Sequence, residues 1–221
     1  MRALKLFLLS CCLITAGAAS ASPDRPLPGK DYIVMPNPQA SAAQPGKVEV
    51  IEFFMYHCPA CNAFEPALNR WAATRDAAIS FRRIHIPHKP DNDPEAHLFL
   101  ALDAMQLEPA MHARVMHTWH VERRRLLSDA DNLQWAASNG IDQQKFRSVY
   151  DSFSVTTRLR ALPRLVGNYG VDSTPTIVVG GRYLTNPAMV ADANPGIPNQ
   201  EVGAATLTVI DALIEQAKKQ K

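Results

Sequence analysis

The stretch Lys47-Val48-Glu49-Val50-Ile51-Glu52-Phe53-Phe54-Met55-Tyr56-His57-Cys58-Pro59-Ala60-Cys61 decides how the rest of the chain is read. Its first eight residues are largely apolar and β-branched, the pattern of a strand covered on both faces. Pro59 then falls at a place where helices accept proline, the first helical position. Phe64, Leu68 and Trp71 recur at helical spacing through Arg75, and Pro66 is expected to kink that helix. Ile79 to Ile86 alternates apolar and polar and reads as the next strand, parallel to the first across the helical crossover. A Cys-x-x-Cys pair at the strand-to-helix turn of such a unit is the arrangement of a redox dithiol.

Upstream, Met1-Arg2-Ala3-Leu4-Lys5 is a basic head, Leu6 to Ile14 an apolar run, and Ala19-Ser20-Ala21 a small-residue cleavage pattern, so residues 1–21 read as a signal peptide. The apolar run is too short to span a membrane, which takes about 20 residues. Cys11 and Cys12 raise lipidation as an alternative, but only five residues separate Lys5 from Cys11, and both cysteines are expected to leave with the signal. Without Arg2 and Lys5 the remaining chain has 21 basic and 21 acidic side chains. A balance that even argues against nucleic acid or an anionic membrane surface as the main partner. Two cysteines remain, three positions apart, and so short a loop gains little stability from cross-linking. Their use is expected to be chemical.

Ser22 to Pro45 is rich in Pro, Ala, Gln and Ser and reads as part of an extended N-terminal arm, residues 22–46. After Pro87 to Pro94 the period becomes helical. Asp93-Pro94-Glu95 opens a first helix, a second follows Pro109, Ser128-Asp129 opens a third ending at Gly140, and Asp142 a fourth; a fifth covers about Val155 to Tyr169, with Gly170 closing it. Thr176 to Val179, a Gly180-Gly181 turn and Arg182-Tyr183-Leu184 form a hairpin, and a terminal amphipathic helix covers about Glu201 to Gln220. The order is βαβ, a helical block, then ββα. That divides the chain into a discontinuous α/β domain, residues 47–90 and 170–221, and a helical insertion, residues 91–169.

A thiol must ionise before it attacks a disulfide, and a helix start supplies unsatisfied N–H groups and a positive dipole end. Cys58 therefore reads as the exposed nucleophile and Cys61, one turn on, as its buried partner. Two other uses of the pair stay open. A zinc site needs four ligands, so His57, His85 or His88 would have to complete it; an inert local disulfide is also permitted in an oxidising compartment.

Glu52-Phe53-Phe54-Met55-Tyr56-His57-Cys58-Pro59-Ala60-Cys61, the helical block and Thr174-Pro175-Thr176 together resemble the DsbA family of bacterial periplasmic thiol:disulfide oxidoreductases. The resemblance implies a thioredoxin fold interrupted by an α-helical insertion. It implies reduced, unfolded exported proteins as substrates and reoxidation by a membrane quinone-linked partner of the DsbB type. No cofactor is expected beyond the Cys58–Cys61 disulfide itself, and no metal. Thr174-Pro175 takes the place of the cis-proline loop opposite the cysteines, offering backbone groups of Thr174 to an incoming peptide. Glu52, in an otherwise apolar strand, becomes the acid that exchanges a proton with Cys61, with Arg83 or Arg82 as its cation; otherwise it is a strand-end carboxylate reaching water. Ala60 departs from the family, whose usual middle dipeptide is Pro-His, so one source of positive charge near the sulfur is missing.

The other candidates are weaker. Protonated, His57 would assist the Cys58 thiolate; otherwise it faces solvent. His112, His117 and His120 lack the i, i+4 spacing of a metal pair and read as helix-surface residues. Met105, Met111 and Met116 read as core fillers. A secreted reductase or isomerase and a non-catalytic, chaperone-like binding module remain as rival functions. Isomerases of this fold usually need a dimerisation module, which residues 22–46 are too short to supply, so a monomer is expected.

Overall fold

The computed structural model describes residues 22–75, 77–89 and 92–220; the signal peptide expected over residues 1–21 lies outside them. Five strands form one sheet, β1 (Ile33–Val34), β2 (Val48–Phe54), β3 (Ile79–His85), β4 (Thr176–Val179) and β5 (Tyr183–Thr185), in the order β1-β5-β4-β2-β3. Only β2 and β3 are parallel, as the crossover through α1 (Pro59–Ala73) requires. β2 lies between β4 and β3, and all seven of its residues are buried. Its side chains serve two cores. Val48 and Val50 pack with Phe64, Leu68 and Trp71 of α1 and with Val209, Ile210 and Leu213 of the C-terminal helix. Ile51 and Phe53 pack toward the helical block.

That block holds α2 (Pro94–Ala104), α3 (Glu108–His120), α4 (Asp129–Ser138), α5 (Gln143–Tyr150) and α6 (Phe153–Asn168). Three of its helices start where capping side chains announced them: Asp93, Ser128 and Asp142 each accept a backbone N–H from the third residue of the helix that follows. α6 begins two residues earlier than its apolar spacing suggests, because Ser152 caps it. Gly170 takes the left-handed conformation just past its end, φ 62°.

Two elements differ from the sequence reading. α7 (Pro187–Ala193), capped by Asn186, precedes the terminal helix α8 (Val202–Lys218). The stretch before β2 also does more than trail: Ile33 and Val34 pair antiparallel with Leu184 and Tyr183 of β5, and buried Asp31 accepts from Asn194 Nδ2 at 2.8 Å. A two-residue strand carries too little periodicity to stand out among prolines.

Candidate active site

β2 ends at Phe54 and α1 begins at Pro59, so the intervening turn places Cys58 at the N-cap of α1. Its backbone is extended (φ −75°, ψ 116°) and its Sγ accepts the N–H of Cys61 at 3.3 Å. No acidic residue occupies the first turn of α1, so the positive end of the helix acts on the sulfur alone. From the opposite side comes the loop before β4, where the Thr174–Pro175 bond is cis. The Cys58 thiol donates to the Thr174 carbonyl at 3.6 Å. This contact explains why Cys58, expected to be exposed, is 7% accessible; Cys61 is 0% accessible. Hydrogen bonding to Cys61, against the opposing effect of burial, brings the Cys58 thiol down to about 5. The same hydrogen bond, followed by burial, raises Cys61 well above the usual thiol range. Of the two sulfurs, Cys58 is the one set to ionise first.

Beneath the pair lies a buried charge cluster. Glu52 on β2 and Arg83 on β3 are register partners, and Arg83 Nε donates to Glu52 Oε2 at 2.8 Å. Arg82, the other candidate cation, projects to the opposite face and binds Glu49 at 2.9 Å. Arg83 also lies 3.0 Å from Glu65, 3.4 Å from Glu108 and 2.6 Å from Asn69 Oδ1. Burial pushes Glu52 up to about 7 despite Arg83, and Glu52 Oε1 has no hydrogen-bond partner among the described residues. Strand-end exposure is thus replaced by complete burial.

His112 corrects the sequence reading. It is 1% exposed, with Nδ1 2.8 Å from Glu108 and Nε2 3.3 Å from Glu65. Against the effect of burial, these two neighbouring carboxylates raise its pKa. His112 shares a helical stripe with Glu108 and Val115, and that stripe is buried. His120 is half-buried, its Nε2 donating to the Tyr56 carbonyl at 2.8 Å; His117 is exposed as expected. Glu65 was missed as well, though its spacing placed it on the face of Cys61 and Leu68.

His57 does not simply face solvent. Its Nδ1 lies 2.8 Å from Glu95 of α2, whose other oxygen accepts the His57 backbone N–H at 3.0 Å. That hydrogen bond raises the His57 pKa, over the opposing effect of burial; Glu95, burial notwithstanding, is held down to about 2 by its bond with His57. No local pattern marks Glu95, because the pair joins the turn after β2 to α2, 38 positions along the chain. No group of three or more His, Cys, Asp or Glu among the described residues is placed to hold a metal ion.

Comparison with known proteins agrees with this geometry. Residues 49–195 match the DSBA-like thioredoxin domain family. The chain is 35% identical to the thiol:disulfide interchange protein DsbA of Burkholderia cepacia over the full length of both, and 36% identical to that of Bordetella parapertussis over 94% of this chain and 96% of the relative. Among solved structures, Pseudomonas aeruginosa DsbA superposes with a TM-score of 0.75 at 30% identity, over 87% of this chain and 94% of that one. DsbA of Xylella fastidiosa gives 0.74 at 25% identity, over 88% and 98%. With a Cys-x-x-Cys helix start, a Thr-Pro loop against it and an inserted helical block on a thioredoxin sheet, the chain belongs to the DSBA-like thioredoxin domain family and is a thiol:disulfide oxidoreductase.

Proposed function

We propose that the protein works in the periplasm as a dithiol oxidase, passing the Cys58–Cys61 disulfide to reduced, unfolded exported proteins. The observation that carries this reading is the asymmetry of the two sulfurs: Cys58 caps α1 and accepts the Cys61 N–H, which goes with a thiol lowered to about 5, whereas Cys61 is fully buried and raised. Thiolate stabilisation exists only in the reduced protein, so it makes the disulfide easier to reduce and the protein a stronger oxidant. The sign follows from linkage. For a lowered pKa, the stabilisation of the reduced form is complete above the ordinary thiol value and fades as pH falls from there to about 5.

In the exchange a client thiolate attacks Cys58 Sγ, the Cys58–Cys61 bond breaks, and Cys61 leaves and takes a proton. A second client thiolate then attacks the client sulfur of the mixed disulfide and releases Cys58 as thiolate. Two electrons pass to the protein, and a membrane quinone-linked reoxidase of the DsbB type takes them away. In this reading Glu52 exchanges the Cys61 proton; its oxygen without a hydrogen-bond partner among the described residues and the bond it accepts from Arg83 support that role. Thr174 and Pro175 face the client backbone. The pattern of residues 1–21 supports export.

The test is the reduction potential together with the rate of disulfide transfer to a reduced two-cysteine peptide. Rapid transfer and a potential far above the roughly −270 mV of a cytosolic reductase are expected; a value near that figure would overturn the oxidase reading. Ala60 sets a second expectation. It is exposed beside Cys58, and Ala60→His should lower the Cys58 pKa further and raise the potential, read by thiolate absorbance titration. Unchanged values would show that the middle residue does not tune this site.

A further inference from the structure

A cavity of about 510 Å³ opens beside the nucleophile, and His57 and Pro59, the chain neighbours of Cys58, form part of its wall. The space therefore adjoins the residue to which a client cysteine bonds. The facing wall comes from the end of α3 and the segment after it, with Trp119 and Leu127 giving it an apolar portion. Its polar portion is one-sided. His88, His120, Arg123 and Arg125 line it, and Glu95 is its only acid, already engaged by the His57 ring and backbone. Glu122, the acid nearest in sequence, is paired with Arg114. Arg123 and Arg125 are exposed and have no acidic partner among the described residues. Arg123 also has a left-handed backbone, φ 57°, in a turn closed by the Arg124 N–H donating to the Thr118 carbonyl, a position usually given to glycine.

We propose that this cavity is a client subsite selecting acidic residues next to the reacting cysteine, with Arg123 and Arg125 as its specificity-determining side chains. The inference rests on the oxidase reading. Two free guanidiniums offer the fork geometry that carboxylates match, and a cationic wall where a client docks raises the encounter rate of an acidic segment. The occupant is a client segment with Asp or Glu flanking a cysteine.

The experiment uses reduced two-cysteine peptides that differ only at the flanking positions, carrying Asp and Glu, Asn and Gln, or Lys. Their oxidation by the oxidised protein is followed by stopped flow. The acidic peptide should react about tenfold faster than the neutral one at low salt, and the ratio should shrink at about 0.3 M salt. In Arg123→Gln/Arg125→Gln the ratio of acidic to neutral rates should approach unity; Arg125→Gln alone should lower it part of the way. Equal wild-type rates for acidic and neutral peptides, or a preference that survives in the double variant, would overturn the proposal. Failure to oxidise any peptide would instead remove the oxidase reading, and the subsite with it.

Discussion

Cys58→Ser should abolish disulfide transfer completely, whereas Cys61→Ser should lose transfer but form long-lived mixed disulfides with disulfide-bonded partners. Neither variant can carry the intramolecular disulfide, so neither can donate one. They differ in the sulfur that remains. In Cys61→Ser the thiol at the N-cap of α1 persists, at the helix end and beside the backbone N–H groups of Ala60 and Cys61. It attacks a disulfide, and no second thiol resolves the product. The sulfur left in Cys58→Ser is fully buried. Removing the Cys58 partner takes away the chief cause of its raised pKa, but burial still opposes its ionisation. Non-reducing electrophoresis after mixing with an oxidised peptide separates the two. Equal trapping by both variants would reverse the assignment of nucleophile and partner.

Arg83→Met should be the most destabilising single change among the charged residues, at about 3–5 kcal/mol near pH 8. Arg83 is the guanidinium shared by Glu52, Glu65 and Glu108, and its removal leaves buried carboxylates with His112 as their remaining cationic neighbour. For a chain of this size the loss corresponds to roughly 10 °C in Tm. Urea unfolding of the reduced and oxidised forms checks it, and a loss below about 1 kcal/mol would mean that the cluster is open to water.

Glu52→Gln acts in the other direction on stability. Its folded pKa, about 7, lies above the unfolded value, so the native state holds a proton that the unfolded chain has released. Ionisation of Glu52 therefore erodes stability as pH rises from the ordinary carboxylate range to about 7, and the effect is constant above. Relative to wild type, Glu52→Gln should gain stability through that window and none below it. It should also slow the exchange steps in which Cys61 gains or loses its proton. Unchanged oxidation and reoxidation rates across pH 5 to 8 would make the glutamate structural only.

Much of this architecture is written locally. β2 is legible because an apolar β-branched run has few other uses, and α1 because Pro59 fixes its start. The starts of α2, α4 and α5 are legible because Asp93, Ser128 and Asp142 cap the helices that follow them. Each depends on residues a few positions apart, and periodicity and capping are properties of neighbours in the chain. The Cys58 N-cap belongs to the same class.

The surroundings of the dithiol do not. Glu52, Glu65, Arg83, Glu108 and His112 come from two strands and two helices, and no local pattern marks them as one cluster. Nor does any local pattern join Glu95 to His57, or Arg123 and Arg125 to the wall beside Cys58. The fold class and the Cys-x-x-Cys pair are legible from the chain alone, as are most of the elements in their order, though not β1 or α7. The packing of α2 and α3 over the end of the sheet decided which charges are buried, which are paired and which face the nucleophile, because desolvation and Coulomb attraction depend on distances in space that chain spacing does not set.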